Sequence, residues 1–223
     1  MEGLFRPHSR RVRSGVLNFR GIRRLTEAAH LLALGVWIGV IVGAGLAAAA
    51  LFPSIRDLDP RVPAYEAYSG EHWLMVGGAA GERIFLYADV AQFVCATGAM
   101  LTLIISLITS GAGWRSLSTA LRVPLLCAAI GLFSYSMFMH TPEMNEHLRQ
   151  LRVAAEAGDE AVAQNHREAF RGMHPVASNL LGGTALFAFG AFVAGAFGAT
   201  RRTHDHEASP DDDLPALAKA GRL

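Results

Sequence analysis

His140 and His174 are the residues whose type and position best suit chemistry, because each lies where an apolar stretch of the sequence meets a polar one. Asp89 lies inside another apolar stretch, and a charge at the centre of a membrane span costs about 2.5 to 3.5 kcal/mol. Glu82 precedes it by seven residues and Gln92 follows by three, spacings that place all three on one helix face. We expect His140, His174 and Asp89 to meet in one polar pocket near a membrane surface.

Further side chains that can bind metal follow His140 along the sequence. Glu143 and His147 stand three and seven residues after it, on one helix face if the helix continues past Pro142. Imidazole with thioether ligands suits Cu(I), whereas imidazole with carboxylate suits Zn(II). The sequence therefore predicts a copper or zinc site, with His140, His174 and Asp89 as ligands and with Glu143, His147 and Met144 nearby.

Three other functions fit the same residues. The histidines could hold helices together by bonding Asp89 or backbone carbonyls. His140 and His174 could instead be axial haem ligands on facing helices, as in a membrane cytochrome or oxidoreductase. In a third interpretation, the chain is a structural subunit of a membrane complex. We expect a protein that binds or passes a small cation, without covalent catalysis and without nucleic acid.

The elements that must position these residues are four apolar stretches, and 52% of the chain is hydrophobic against 17% charged. A bilayer core is crossed by about 20 apolar residues, and a backbone in lipid must satisfy its own hydrogen bonds. The sequence therefore predicts an all-α, four-span bundle within residues 27–200. The spans are expected at 31–52, 84–110, 121–139 and 176–198.

Arginines cluster outside these stretches, in the basic arm 1–26, between the second and third spans, and after the fourth. Arg122 is interpreted as one of these flanking charges. The positive-inside rule then places both termini in the cytoplasm, and a bacterial inner membrane is the expected location. Residues 201–223 are expected to be a disordered tail. The basic start could alternatively belong to a signal peptide, with cleavage near Ala47–Ala49.

The segment between the third and fourth spans is expected to form a helical hairpin outside the membrane. Thr141 and Pro142 are typical of a helix start. Gly158 is placed to end that helix, and Asp159 to begin the next.

The sequence also supports predictions for four residues outside the expected pocket. His30, beside Glu27, is interpreted as an interfacial or capping residue, and Trp37 as packing among small residues of a neighbouring helix. His72 and His166 are expected to be solvated on outer loops, each able to fold over the pocket.

Glycines recur every fourth residue in the first span, at Gly35, Gly39 and Gly43. Small residues at this spacing allow close packing of one membrane helix on another. This face is expected to contact a neighbouring helix, a second copy or a membrane partner.

Two segments resemble the membrane family called domain of unknown function 4149, which includes the transmembrane protein 205-like proteins. One is the Trp37-Ile-Gly39 segment that leads to Leu-Phe52-Pro53, and the other is the Phe-x-x-x-His segment that leads into the last span. The resemblance implies a four-helix membrane fold and no established enzymatic activity. Two features depart from the family pattern, since Pro53 follows Leu-Phe and Pro175 follows the histidine. The matching positions are Trp37, Gly39, Phe52, Phe170, His174, Ser178 and Asn179.

Overall fold

The computed structural model describes residues 16–110 and 117–207, with the side chains of 21, 22, 24–109 and 117–200. Within these ranges the chain is helical and contains no strand. The helices are α1 (Val16–Leu58), α2 (His72–Ser110), α3 (Leu117–Tyr135), α4 (Thr141–Ala157) and α5 (Glu160–Glu207).

Four helical segments are long and apolar enough to cross a membrane, which confirms the all-α, four-span bundle expected of an integral membrane protein. They are Arg24–Leu58, His72–Thr109, Leu117–Ala157 and Glu160–Thr200. Each begins before its predicted span, and all but the second also end after it, because helical hydrogen bonding continues into polar sequence.

The ends of the bundle differ from the predicted domain limits. Helix α1 begins at Val16, inside the predicted arm 1–26, and α5 continues to Glu207, inside the predicted tail 201–223. The remainder of the arm, 1–15, and of the tail, 208–223, lies outside the described residues.

The core lies where α1 packs along α2, α3 packs along α5, and α5 also packs on α1. Trp37 is fully buried there, in a cluster that includes several alanines of α2, α3 and α5, as its predicted packing among small residues requires. Its ring meets the edge of Phe133 at a centroid distance of 6.0 Å. Such an aromatic pair contributes about 0.5–1.5 kcal/mol beyond the area that it buries.

Glycines allow close contact between helices at positions other than the predicted face. The ring of Phe52 lies over α2, where a Cβ at Gly81 would be 2.9 Å from it. On the predicted face, only Gly35 has a neighbour, with Phe192 at 3.8 Å from its Cβ position. No heavy atom of the described residues beyond the local helix lies within 4 Å of that position at Gly39 or Gly43.

The predicted helical hairpin is present, and α3 runs into it through a wider π turn at Ser136–His140. Helix α4 ends at Gly158, which has a left-handed φ of 74°. Asp159 then caps α5, its carboxylate accepting the N–H of Val162 at 3.1 Å. Because a π turn holds more residues than an α turn, every side chain after it is rotated about the helix axis relative to a continuous α-helix.

Candidate functional site

His140 is buried at the π turn and bonds the backbone of α5. Its Nε2 lies 3.2 Å from the carbonyl oxygen of Met173. A carbonyl can only accept, so this nitrogen carries the proton and donates. The contact joins two helices through a backbone carbonyl, which is one of the alternatives that the sequence left open.

Asp89 is half-buried in α2 and lies within hydrogen-bonding distance of Gln92. Its carboxylate accepts from the Gln92 amide at 3.2 Å, and the oxygen of that amide accepts the indole N–H of Trp37 at 3.2 Å. Asp89 and Gln92 therefore share the predicted face. Glu82, the third member of that face, pairs with Arg152 of α4.

His174 is exposed at the start of the membrane part of α5, and its ring makes no hydrogen bond with the described residues. The ring lies 6.1 Å from that of Phe170, centroid to centroid. Ser178, one turn further on, donates to the carbonyl of His174 at 3.1 Å, and Asn179 is exposed. The haem alternative requires the rings of His140 and His174 as a pair of ligands. These rings have different surroundings, since that of His140 is buried against a carbonyl and that of His174 is exposed.

The structure does not bring the six predicted ligands together as one set. Among the described residues, no group of three or more His, Cys, Asp or Glu side chains is placed to hold a metal ion. His140 bonds the carbonyl of Met173, and Asp89 bonds the amide of Gln92. The π turn also rotates the residues that follow His140 about the helix axis. On α4, Glu143 is exposed and Met144 half-buried.

His147 does meet a second imidazole, that of His166 on α5. Their Nδ1 atoms are 3.0 Å apart, and the ring centroids are separated by 5.3 Å at an interplanar angle of 43°. Both rings are half-buried between the two helices of the hairpin. The sequence had indicated a solvated loop residue at His166. That expectation is wrong, because the residue is half-buried on α5. The signal that could have found it is the hairpin itself, which folds back at Gly158 and brings α5 alongside α4.

The expectation that His72 is solvated on an outer loop is also wrong, because the residue is only 5% exposed at the start of α2. Its Nδ1 accepts the N–H of Val62 at 3.1 Å, and its Nε2 donates to the carbonyl of Tyr68 at 3.1 Å. Both bonds reach the connection between α1 and α2. The residue therefore fixes that connection in place.

A buried ion pair lies at the opposite end of the bundle from the hairpin. Arg122 of α3 bonds Glu27 of α1 at 2.7 Å, with 4% and 15% of the side chains exposed, and Ser106 of α2 donates to the same carboxylate at 2.6 Å. Arg122 is thus a core residue, and its interpretation as a loop-flanking charge is wrong. Its partner is remote in sequence, so the charge pattern could not reveal the pair.

His30 lies one helical turn from Glu27 and is fully buried, so its interpretation as an interfacial or capping residue is wrong. Its Nδ1 donates to the carbonyl of Ala99 at 2.9 Å and lies 3.1 Å from the hydroxyl of Thr102. Its Nε2 is buried without a hydrogen-bond partner in the described part of the chain. The ring therefore joins α1 to α2 through one nitrogen only.

A groove of about 490 Å³ runs between α1 and α5. Small residues of both helices line it, together with Phe85 of α2. The lining residues are Ile41, Gly45, Ala48, Ala49, Phe52, Pro53, Phe85, His174, Ser178, Leu181 and Gly182.

Comparison of the chain with protein-family models, with curated proteins and with solved structures finds no match. The resemblance to the domain of unknown function 4149 family therefore stays a prediction. The function must be argued from the geometry of the chain itself.

Proposed function

We propose that this integral membrane protein binds one zinc or copper ion at the extramembrane hairpin, between His147 and His166. The observation that supports this proposal is the 3.0 Å separation of their Nδ1 atoms across α4 and α5. A metal ion bound by two imidazoles requires their nitrogens to converge on one point, as these two nitrogens do.

The distance is close to what a metal requires. Two nitrogens at about 2.0–2.1 Å from a tetrahedral zinc ion lie about 3.3 Å apart. In the neutral pair, one Nδ1 donates its proton to the other. Metal binding replaces that shared proton, so both rings then carry their proton on Nε2. The two helices need to separate by only a few tenths of an ångström.

The remaining ligands must move into place, because no third His, Cys, Asp or Glu of the described residues stands with the pair. The turn of α4 that precedes His147 offers two side chains that could do so. Glu143 and Met144 stand four and three residues before it, so they share its side of the helix. A carboxylate beside two imidazoles favours Zn(II), and a thioether favours Cu(I). The proposal keeps Glu143, Met144 and His147 of the ligands expected from sequence and adds His166. It leaves out His140, His174 and Asp89.

The test is a metal titration of the full-length protein in detergent, with a chromophoric chelator as competitor. We expect one equivalent of zinc to bind. His147→Ala and His166→Ala should each weaken the affinity by more than about 100-fold, since loss of outer-sphere partners alone costs about 10- to 100-fold. His174→Ala is the matched control and should leave the affinity unchanged. Equal affinity in all four proteins would rule the site out.

Two further variants identify the ion. If the site prefers zinc, Glu143→Gln weakens zinc binding more than Cu(I) binding. If it prefers copper, Met144→Leu has the larger effect and acts on Cu(I). Absence of any effect from either variant would exclude this turn of α4 as a source of ligands.

The glycine face of α1 supports a second function, that of a subunit in a membrane assembly. Gly39 and Gly43 are exposed and open to an approaching helix, and nothing in the described chain covers them. Gly39→Ile should abolish a crosslinked dimer or complex in native membranes if this face is a contact. An unchanged crosslinking pattern would assign the face to lipid.

We infer that the hairpin faces the non-cytoplasmic side of a bacterial inner membrane, with both termini in the cytoplasm, from the arginine distribution. Cysteines introduced at Glu156 and Thr200, in a chain whose Cys95 and Cys127 are replaced by serine, test the orientation. An impermeant maleimide should label position 156 in intact spheroplasts and position 200 only after permeabilisation. The reverse pattern would invert the topology.

A further inference from the structure

The groove between α1 and α5 exists because the two helices present small residues to each other over several turns. Gly45 and Gly182 leave open space, with no heavy atom beyond the local helix within 4 Å of either Cβ position. Phe52 and Phe85 contribute aromatic rings to its lining. The result is a mainly apolar, open groove, and its volume of about 490 Å³ lies within the range of small-ligand sites, about 300–1,000 Å³.

The length of the groove matches one leaflet of a bilayer. Its lining on α1 runs from Ile41 to Pro53, and twelve residues of helix rise about 18 Å. On α5 it runs from His174 to Gly182, a rise of about 12 Å. Half of a hydrocarbon core about 30 Å thick is about 15 Å. The groove therefore spans the depth that a single acyl chain occupies.

The groove is apolar over most of its length and polar toward one end, as an amphiphilic ligand is. His174 and Ser178 are its polar lining residues, and both lie toward the end nearest the hairpin. The Ser178 hydroxyl already donates to the backbone, whereas the His174 ring bonds no described residue. An imidazole at the edge of the hydrocarbon region needs a hydrogen-bond partner, because leaving it unsatisfied is costly there.

We propose that this groove binds a glycerophospholipid of the leaflet adjacent to the hairpin, with one acyl chain between α1 and α5 and its ester or phosphate oxygens at His174. The N–H of the imidazole donates to those oxygens. Arg171, exposed one turn outward on α5, lies on the same side of the helix as His174 and adds positive charge at headgroup level. The site is separate from the metal pair, which lies further out in the hairpin.

The test reconstitutes the full-length protein into phosphatidylcholine and phosphatidylglycerol vesicles that contain a phosphatidylcholine with a diazirine in one acyl chain. After irradiation, we expect crosslinks to concentrate on the segments 41–53 and 174–182. Other lipid-facing surfaces, such as those around Leu32 and Leu121, should be labelled much less. An even distribution over all lipid-facing residues would overturn the proposal without any variant being needed.

Variants then test the groove directly. Gly45→Leu and Gly182→Leu fill the groove and should lower crosslinking of these segments well below that of the wild-type protein. Gly131→Leu is the matched control, since its Cβ position on α3 is equally open and lies outside the groove. His174→Ala should reduce the number of phospholipids retained in native mass spectrometry. Equal crosslinking in the groove and control variants, at unchanged helicity and zinc affinity, would reject a lipid site.

Discussion

The Glu27–Arg122 pair shows how a charge can stay within this apolar bundle. The carboxylate receives hydrogen bonds from both α2 and α3, so the positive and negative groups leave water together. Pairs of this kind contribute little net stability when compared with apolar residues of the same volume. Removal of one partner is different, because it leaves the other charge buried and uncompensated.

We predict that Arg122→Met or Glu27→Gln lowers the free energy of unfolding by about 3–5 kcal/mol, and that the double variant loses less than the sum. Denaturant unfolding in mixed micelles, followed by circular dichroism, measures this. Arg149→Met is the control, since it removes an exposed pair with Glu146 and should change the free energy of unfolding far less than Arg122→Met does. Similar effects for Arg122→Met and Arg149→Met would contradict the buried pair.

We expect metal binding at the proposed His147–His166 site to be sensitive to acid. Both Nδ1 atoms must be without protons to bind a metal, so protons compete with it and the affinity falls as the pH decreases. We predict weaker zinc binding at about pH 5.5 than at about pH 7.5, because protons and the metal ion compete for the same nitrogens. Titrations at the two pH values measure the change. An affinity that does not depend on pH would argue for carboxylate ligands alone.

At the scale of the helices, the hairpin turn sets the register between α4 and α5. Gly158 has a φ of 74°, and a Cβ there would lie 3.2 Å from the Cβ of Ala67. We predict that Gly158→Ala destabilises the protein by about 1 kcal/mol or more and weakens zinc binding. Gly172→Ala on α5, where space is open, should instead stabilise it by about 0.5–1 kcal/mol. Denaturant unfolding of both variants distinguishes these signs, and two changes of the same sign would contradict the account of the turn.

The sequence predicted the helices much better than the contacts between them. Hydropathy identified the four spans, and Gly158 with Asp159 marked the turn, because these signals are local. The π turn at Ser136–His140 has no such local signature, yet it determines where His140 and the residues after it point. Partners remote in sequence, such as Glu27 for Arg122 and Ala99 for His30, become visible only once α1, α2 and α3 are packed together.

The sequence-based prediction and the proposed site overlap only in part, for the same reason. His147 belongs to both, since residue type and helical spacing placed it among the expected ligands. Its partner His166 could not be chosen over His140 or His174, because the choice depends on how α4 lies against α5. The spacing along one helix carries no information on that contact.

At the scale of the whole molecule, polar groups are arranged in layers along the bundle. The Glu27 and Arg122 pair lies at one end, Asp89 with Gln92 further along the bundle, and the His147 and His166 pair in the hairpin at the other end. Because the proposed metal site joins α4 to α5, and α5 also packs on α1 and α3, we expect metal binding to stabilise the entire fold.

We predict that zinc raises the thermal unfolding temperature of the wild-type protein. A free zinc concentration of about 100 times the Kd adds about 2.7 kcal/mol to the free energy of unfolding. The double variant His147→Ala/His166→Ala should show no shift, and differential scanning fluorimetry in detergent measures both proteins. An equal shift in the double variant would indicate binding elsewhere.

The most direct measurement is X-ray absorption at the zinc edge of the protein loaded with one equivalent of metal. The proposed site predicts scattering from two imidazole ligands, with nitrogens at about 2.0–2.1 Å. It also predicts that His147→Ala and His166→Ala each remove one imidazole from the spectrum, whereas His174→Ala leaves it unchanged. A spectrum without imidazole scattering, or one that neither hairpin variant alters, would contradict the metal site.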